Sequence, residues 1–376
     1  MKILFLSDDF PPQSFGGAGI STYDLALGMK KTGQEVSVIT TCRRESEAGE
    51  MDYNGLKVFR IASDYPARWR AYLSIYNPQV LRKLERKLKE LNPDVVHINN
   101  VHFYLSYYSI KLSKQYAKKV VFTARDAMSF SFGKLETEKY LKNLDARITW
   151  LDSLKQARRR WNPFRNILIR HYLGYADKIF AVSNALKEAL AQNGINGVEV
   201  MHTGIDVSEY RAFYDKQRKK IIFFAGRLSD AKGARVVEKA MQIISQEIPE
   251  AELLTAGTNS QWLNREEMKK AYVASSVVIV PSICFDAFPR TVIEAMAAGR
   301  PVIGTRYGGA SEAILDGVTG YVVNPFDIKT MAEKIMGLLR DEEMAERFGR
   351  AGRERVESKF NIDDKIAEFL NTIKDG

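Results

Sequence analysis

A chain of 376 residues is too long for one compact core of ordinary size and implies two domains of about 150–200 residues each. Hydrophobic residues make up 45% and charged residues 27%, the balance of a globular protein, and no apolar run approaches the ~20 residues of a membrane helix. The net charge of +10 is lopsided: residues 1–200 hold 31 Lys and Arg against 20 Asp and Glu, while residues 201–376 hold 25 against 26. The two cysteines, Cys42 and Cys284, have no metal or redox spacing, which points to a reducing cytoplasm rather than a disulfide framework.

In chain order, residues 3–6 (Ile-Leu-Phe-Leu) read as a buried first strand, too short for a signal-peptide core. A Pro/Gly-rich loop over 8–18 leads to a helix over 22–31, ended by Gly33, and a strand over 35–40. This β-loop-α-β opening begins a doubly wound sheet. A helix over 80–91 stops at Asn92-Pro93, then come a strand over 95–98, a helix over 103–115 and a strand over 120–123. A long, mainly helical insertion fills 128–172. A strand over 178–182 follows, and Ser183 caps a helix over 184–192.

The polar segment 203–220 reads as a hinge, and a second α/β series follows it. Strands are expected at 221–224, 252–255, 277–280 and 301–304. Helices are expected at 234–247, 291–298, 328–339 and 342–357. The fold class is therefore α/β, with two Rossmann-like domains.

Three stretches carry chemistry. Gly16, Gly17 and Gly19 lie between a strand and a helix, where backbone amides can approach a phosphate or simply make a tight turn. Residues 225–233 (Ala-Gly-Arg-Leu-Ser-Asp-Ala-Lys-Gly) directly follow a strand. Arg227 and Lys232 thus sit at the carboxyl edge of a sheet, and two cations there suit a diphosphate. Residues 281–302 place Asp286 before a helix and Glu294 about a turn inside it. Amides at the helix start face phosphates, and flanking carboxylates accept sugar hydroxyls.

A fourth stretch, 147–170, is basic: Arg147, Lys155, Arg158, Arg159, Arg160, Arg165 and Arg170 against Asp152 alone, interleaved with Trp150, Trp161 and Phe164. That mixture suits an anionic membrane surface. It also suits nucleic acid or an ordinary solvated helix, and nucleic acid is the less favoured partner.

With these stretches in place, the chain resembles the retaining GT-B glycosyltransferases of glycosyltransferase family four, also called group 1. The likeness rests on residues 10–17, 94–97, 182–183, 203–206, 226–233, 286–301, Gly308-Gly309, Glu312, Gly317 and Gly320, in the family's order. It implies two Rossmann-like domains facing across a cleft. An acceptor domain covers 1–203, a nucleotide-sugar donor domain covers 204–357, and a C-terminal helix over about 358–376 packs back on the first. The resemblance further implies that Gly16 and Gly17 approach the donor phosphates and that Arg227 and Lys232 hold the diphosphate. Asp286 meets the donor sugar. Phe288, Pro289, Arg290 and Thr291 supply backbone contacts, Glu294 holds the ribose, and His97 lines the cleft.

Three departures stand out. The family's first glutamate is Asp286, one methylene shorter. Its His-Asp after an N-domain strand is Arg125-Asp126, so Asp126 keeps a catalytic position while Arg125, a permanent cation, faces an anionic acceptor or donor group. The stretch between Gly257 and Tyr272 is short, with a helix and part of a strand cut down to 258–263, which leaves the base open.

The sequence has no Asp-x-Asp and its four histidines do not cluster, so metal independence and no cofactor are expected. His102 is expected to be packed or at the surface rather than a ligand. The expected reaction moves a sugar from a nucleotide diphosphate sugar to a glycan or lipid-linked acceptor, in the cytoplasm or at the inner membrane face. A glycosyl phosphorylase is a weaker alternative, and so is a non-catalytic nucleotide-sugar or nucleic-acid binder on the same fold.

Overall fold

The computed structural model describes every residue except 14–15, 213–218, 258–262 and 375–376. The chain divides into two compact units. The first comprises Met1–Tyr140, Asp145–His202 and Lys365–Gly376, the second Leu141–Leu144 and Thr203–Asp364.

The first unit is built on eight strands: β1 (Lys2–Leu6), β2 (Glu35–Cys42), β3 (Gly49–Tyr53), β4 (Leu56–Ala62), β5 (Val95–Ile98), β6 (Lys119–Ala124), β7 (Lys178–Ala181) and β8 (Val198–Val200). Their order is β3-β4-β2-β1-β5-β6-β7-β8, parallel except for β3 against β4. Central β1 is covered on both faces, which is why Ile3, Leu4, Phe5 and Leu6 are all apolar and buried. The chain turns from β1 to β2 on one side and resumes at β5 on the other, so a switch point lies between β1 and β5.

Several elements differ from expectation. The first helix is Gly17–Lys31, beginning five residues earlier than its apolar spacing suggested, with Gly16 at its N-cap. The β3–β4 hairpin was not anticipated, although Asn54-Gly55, both at positive φ, is its turn signal. Residues 103–107 are not helical, and the helix there is only Tyr108–Lys114. The reason is Asp8, whose buried carboxylate accepts the amides of Phe103 (2.7 Å), Tyr104 (2.9 Å) and Leu105 (2.7 Å). Amides fixed to a side chain cannot enter a helix ladder. The insertion 128–172 breaks into three short helices, Glu138–Asn143, Trp150–Ala157 and Arg165–Leu173.

Burial outweighs those three amide bonds and pushes Asp8 up to about 7 from 3.8. A folded-state pKa above the unfolded one means that the native state holds the extra proton. The resulting stability is complete below about pH 4 and is lost as pH rises through about 7. Measured by denaturant unfolding, wild-type stability minus that of Asp8→Asn should fall by about 3–4 kcal/mol between about pH 4 and pH 8. A difference that stays flat, or rises, contradicts this placement.

The second unit holds five parallel strands: β9 (Ile221–Phe224), β10 (Glu252–Thr255), β11 (Val277–Val280), β12 (Val302–Thr305) and β13 (Gly320–Val323), in the order β10-β9-β11-β12-β13. Its core joins Ile222, Phe224, Ile279 and Ile303 of the sheet to Val237 and Ile244 of Ala234–Glu247 and to Met331 and Ile335 of Ile328–Arg340. Here the switch point lies between β9 and β11. Part of the expected hinge and most of the shortened 258–263 segment lie outside the described residues.

Candidate functional site

The loops after β9 and β11 leave the sheet on either side of the second unit's switch point, and they carry the predicted residues. The β9 loop runs through a 3-10 turn, Asp230–Lys232, into Gly233 and the helix Ala234–Glu247. It is fastened to the β11 loop, where Ile283 donates to the Ala231 carbonyl at 3.0 Å. The fit demands glycine at 233, because φ is +83° and a Cβ would lie 2.2 Å from the Pro281 carbonyl.

That close approach brings Lys232 to Asp286. The Lys232 ammonium pairs with Asp286 Oδ2, which also accepts from Ser282 Oγ at 3.1 Å. Burial alone would push Lys232 down, but the charge and hydrogen bond of Asp286 outweigh it and hold the ammonium above its usual range. The side chains are 31% and 15% exposed, enough for a ligand to reach both. Among the described residues Asp286 Oδ1 accepts no hydrogen bond. Arg227 lies on the same loop with its side chain exposed.

Asp286 is held from behind by the β12 loop. Its amide donates to the Tyr307 carbonyl (3.1 Å) and its carbonyl accepts from the Gly309 amide (2.9 Å). Gly308, at φ +103°, makes this possible, since a Cβ there would lie 1.9 Å from the Asp286 carbonyl oxygen.

The helix Arg290–Ala297 starts immediately after. Pro289 is its N-cap and supplies no side-chain acceptor to the first-turn amides, although its carbonyl accepts from the Val292 amide at 3.0 Å. The helices led by Gly16 and Gly233 are uncapped in the same sense. Asn77, Ser183, Asn264, Asp327 and Asp341 each cap another helix with their side chains. Phe288 packs on Phe360, and Thr291 is partly exposed in the first turn.

Arg290 and Glu294 form a second pair, Nε to Oε1 at 2.6 Å, one helical turn apart and both largely buried. Tyr272 donates its hydroxyl to Glu294 Oε2 at 2.9 Å. Burial, followed by the Glu294 charge, holds the Tyr272 hydroxyl well above its usual range, so it stays a donor. Sequence reading gave neither Ser282, inside the stretch 281–302, nor Tyr272 a role, because their bonds to Asp286 and Glu294 depend on the fold. The Arg290 side chain was legible as an i,i+4 partner of Glu294 and was read only for its backbone.

In the first unit, Gly17 opens its helix with nothing within 4 Å of the Cβ it lacks. His97 corrects an expectation. It was placed at a cleft, but it is wholly buried in β5, its Nε2 2.7 Å from Thr123 Oγ1 and its ring stacked on Phe369 at 4.6 Å. Burial, then the Arg125 charge, pushes it far below its usual value, so it is a neutral core residue. Arg125 donates to Asn99 Oδ1 at 2.9 Å. Asp126 caps the turn Ala127–Ser129 and lies 3.4 Å from His102 Nδ1. His102 is packed as expected, and burial pushes it down to about 4 against the pull of Asp126, so the imidazole is neutral near pH 7. Both cysteines are buried, and neither forms a disulfide.

With that geometry established, comparison with known proteins is direct. Residues 15–209 match the model of Glycosyltransferase Family 4, and residues 258–355 match that of Glycosyl transferases group 1. The chain is 24% identical to an uncharacterized glycosyltransferase of Methanocaldococcus jannaschii, covering 100% of this chain and 98% of the relative. It is 33% identical over 181 residues to a sucrose synthase of Thermosynechococcus vestitus, a match spanning 46% of this chain and only 22% of that much longer protein. Among solved structures, sucrose-phosphate synthase from Thermosynechococcus elongatus superposes with a TM-score of 0.79 at 20% identity, covering 99% of this chain and 98% of that one. Anabaena HepE in complex with UDP-glucose superposes with a TM-score of 0.66 at 17% identity, covering 99% and 100%. A family model spanning more than half the chain, together with two Rossmann-like units of matching fold, makes this chain a member of glycosyltransferase family 4, a glycosyltransferase of the GT-B class.

Proposed function

We propose that the chain is a retaining, metal-independent glycosyltransferase that moves a sugar from a nucleotide diphosphate sugar to an acceptor hydroxyl. The observation that carries this reading is the Lys232–Asp286 pair beside the uncapped start of Arg290–Ala297, at the switch point of the second sheet. Lys232, Arg227 and the helix amides meet the charge that grows on the leaving nucleoside diphosphate. Asp286 Oδ1 accepts a hydroxyl of the donor sugar while Oδ2 stays with Lys232. Glu294, steadied by Arg290 and Tyr272, accepts the ribose hydroxyls. The oxocarbenium-like sugar is captured on the face from which the diphosphate departs. That phosphate takes the acceptor proton, and no carboxylate pair of the glycosidase kind is required. Asp126 orders the acceptor side. Uracil is a candidate base because HepE, of like fold, is described in complex with UDP-glucose.

The diphosphate clamp in this reading is cationic and peptide-based, and the sequence contains no Asp-x-Asp. Transfer should therefore persist in excess EDTA, followed by nucleoside diphosphate release. Complete loss restored by Mg²⁺ would assign the diphosphate to a metal instead. The anomeric proton coupling of the first-formed product should match that of the donor, and inversion would remove the retaining assignment.

The acceptor is proposed to be a glycan or lipid-linked hydroxyl compound, reached at the cytoplasmic face of a membrane. No helix among the described residues is long and apolar enough to cross a membrane. Attachment would be peripheral, through residues 147–170. Trp150 (62%), Phe164 (63%) and Ile167 (55%) are exposed there, near exposed Arg158 and Arg160. Each cation near an anionic surface contributes about 1 kcal/mol. The protein should sediment with phosphatidylglycerol liposomes at low salt, less so at high salt, and several-fold less when Arg158 and Arg160 become Ser. Indifference to such liposomes at low salt would make the segment a solvated face and the acceptor a soluble one.

A further inference from the structure

The helical insertion of the first unit is fastened into a frame around a small pocket. Trp150–Ala157 starts in a capping box, with the Asp152 amide donating to Thr149 Oγ1 at 3.2 Å and the Thr149 amide to Asp152 Oδ2 at 2.9 Å. The chain then turns through Arg158, at φ +52°, and brings the Trp161 ring back to Trp150. The buried Asn162 is pinned on both sides, its Nδ2 donating to the Ala71 carbonyl at 3.1 Å and its Oδ1 accepting the Phe164 amide at 3.0 Å. Asn166 Nδ2 donates to the Phe130 carbonyl at 2.6 Å, and the Phe132 amide donates to Gln156 Oε1 at 3.1 Å.

The pocket has a volume of about 170 Å³, the space of roughly six waters at ~30 Å³ each, so it suits one small ring rather than a nucleotide. Trp150, Trp161 and Phe132 supply its aromatic walls, and the two indoles lie 6.1 Å apart, tilted by 39°. Ser153 and Arg170 join the two asparagines in its polar lining, which contains no carboxylate. The asparagines are spent on the frame, but other donors are spare. Among the described residues neither indole N–H nor the Ser153 hydroxyl has a hydrogen-bond partner. Arg170 is exposed and makes one long bond, from Nη1 to the Asn193 carbonyl at 3.4 Å, which leaves most of its donors for a ligand.

These walls select a chemistry. An acyl chain would strand the hydroxyl and the guanidinium, and a bare phosphate would leave the indole faces unused. A pyranose ring uses both. Its C–H face carries slight positive charge and packs on the negative face of an aromatic ring, while its hydroxyls bond to polar groups around the edge.

We propose that this pocket is a sugar-binding subsite on the insertion, in which one pyranose ring of a glycan packs on Trp150 and Trp161 and gives its hydroxyls to Ser153 and Arg170. Assigning that glycan to the acceptor rests on the glycosyl-transfer reading; the pocket's affinity for a sugar does not. Phe164 and Ile167 of the face proposed above for a membrane lie outside the lining, and Trp150 alone is common to both.

The test is saturation-transfer NMR on the full chain without donor, using the methyl glycosides of glucose, galactose, mannose, N-acetylglucosamine and glucuronic acid. At least one should receive saturation, chiefly at ring protons of one face. Trp150→Ala should weaken its binding at least about tenfold. The fold should survive, because Trp150 is 62% exposed and Ala suits the first helical position. Arg170→Gln, also exposed, should weaken binding several-fold, and Lys232→Ala should retain the full affinity. The proposal is overturned if none of these sugars receives saturation, or if Trp150→Ala and Arg170→Gln both bind as wild type does. Loss of binding in Lys232→Ala would place the sugar at the donor corner and overturn it too. So would a Trp150→Ala protein that keeps its sugar affinity but no longer sediments with phosphatidylglycerol liposomes, since the indole would then serve lipid. Sugar binding that persists while no donor supports transfer would sink the glycosyl-transfer reading and leave the pocket standing.

Discussion

Replacing Lys232 by Ala should lower kcat/KM several hundred-fold, roughly 3–4 kcal/mol of transition-state stabilisation. Two losses combine. The cation that meets the leaving diphosphate disappears, and Asp286, only 15% exposed, is left without its partner. Because Lys232 is itself about a third exposed, the stability cost should be small, no more than about 1–2 kcal/mol after solvent screening. The double variant Lys232→Ala/Asp286→Asn separates the two effects. Removing the stranded charge should restore stability without restoring turnover. Steady-state kinetics beside thermal melts make the comparison, and near-normal turnover in Lys232→Ala would strip the residue of its role.

Gly308→Ala should cost more in stability than any surface change, about 3 kcal/mol or more, and should abolish donor binding with it. The new methyl would sit 1.9 Å from the Asp286 carbonyl oxygen and 2.6 Å from its carbon, at a φ of +103° that side chains rarely adopt. Those atoms are backbone and cannot swing aside. The β12 loop must move instead, breaking the bonds from Gly309 to Asp286 and from Asp286 to Tyr307 that aim the carboxylate. Gly17→Ala is the matched control, since its Cβ meets open space; its unfolding free energy should stay within about 0.5 kcal/mol of wild type. Equal midpoints for the two variants would mean that the β12 loop does not hold Asp286 as described.

Residues whose role follows from local spacing were legible before the structure. Ser183 announces the helix Asn184–Gln192 and caps it, and Gly33 ends Gly17–Lys31 at φ +83°. The run from Asp286 to Glu294 crosses the start of Arg290–Ala297, where a loop-to-helix reading placed it. What stayed hidden depends on partners distant in sequence. Nothing near Asp8 reveals that it holds amides about 95 residues away, so residues 103–107 read as helix. Tyr272 meets Glu294 only because the sheet brings them together, and Arg70 meets Met128 and Phe132 across a fold that no periodicity encodes. His97 failed in the opposite sense: the family resemblance put it at a cleft, while the parallel sheet, covered on both faces, made it core.

On the reading proposed above, the second unit binds a nucleotide diphosphate sugar through the Lys232–Asp286 corner and activates it for transfer. Its most direct test exposes the full chain to UDP-, GDP- and ADP-sugars, recording thermal stabilisation and nucleoside diphosphate release for wild type, Arg227→Ala and Lys232→Ala. One donor class should stabilise the wild type and release its diphosphate, and both effects should largely vanish in the two variants. Stabilisation by no donor, or equal stabilisation and release in wild type and Lys232→Ala, would contradict the account.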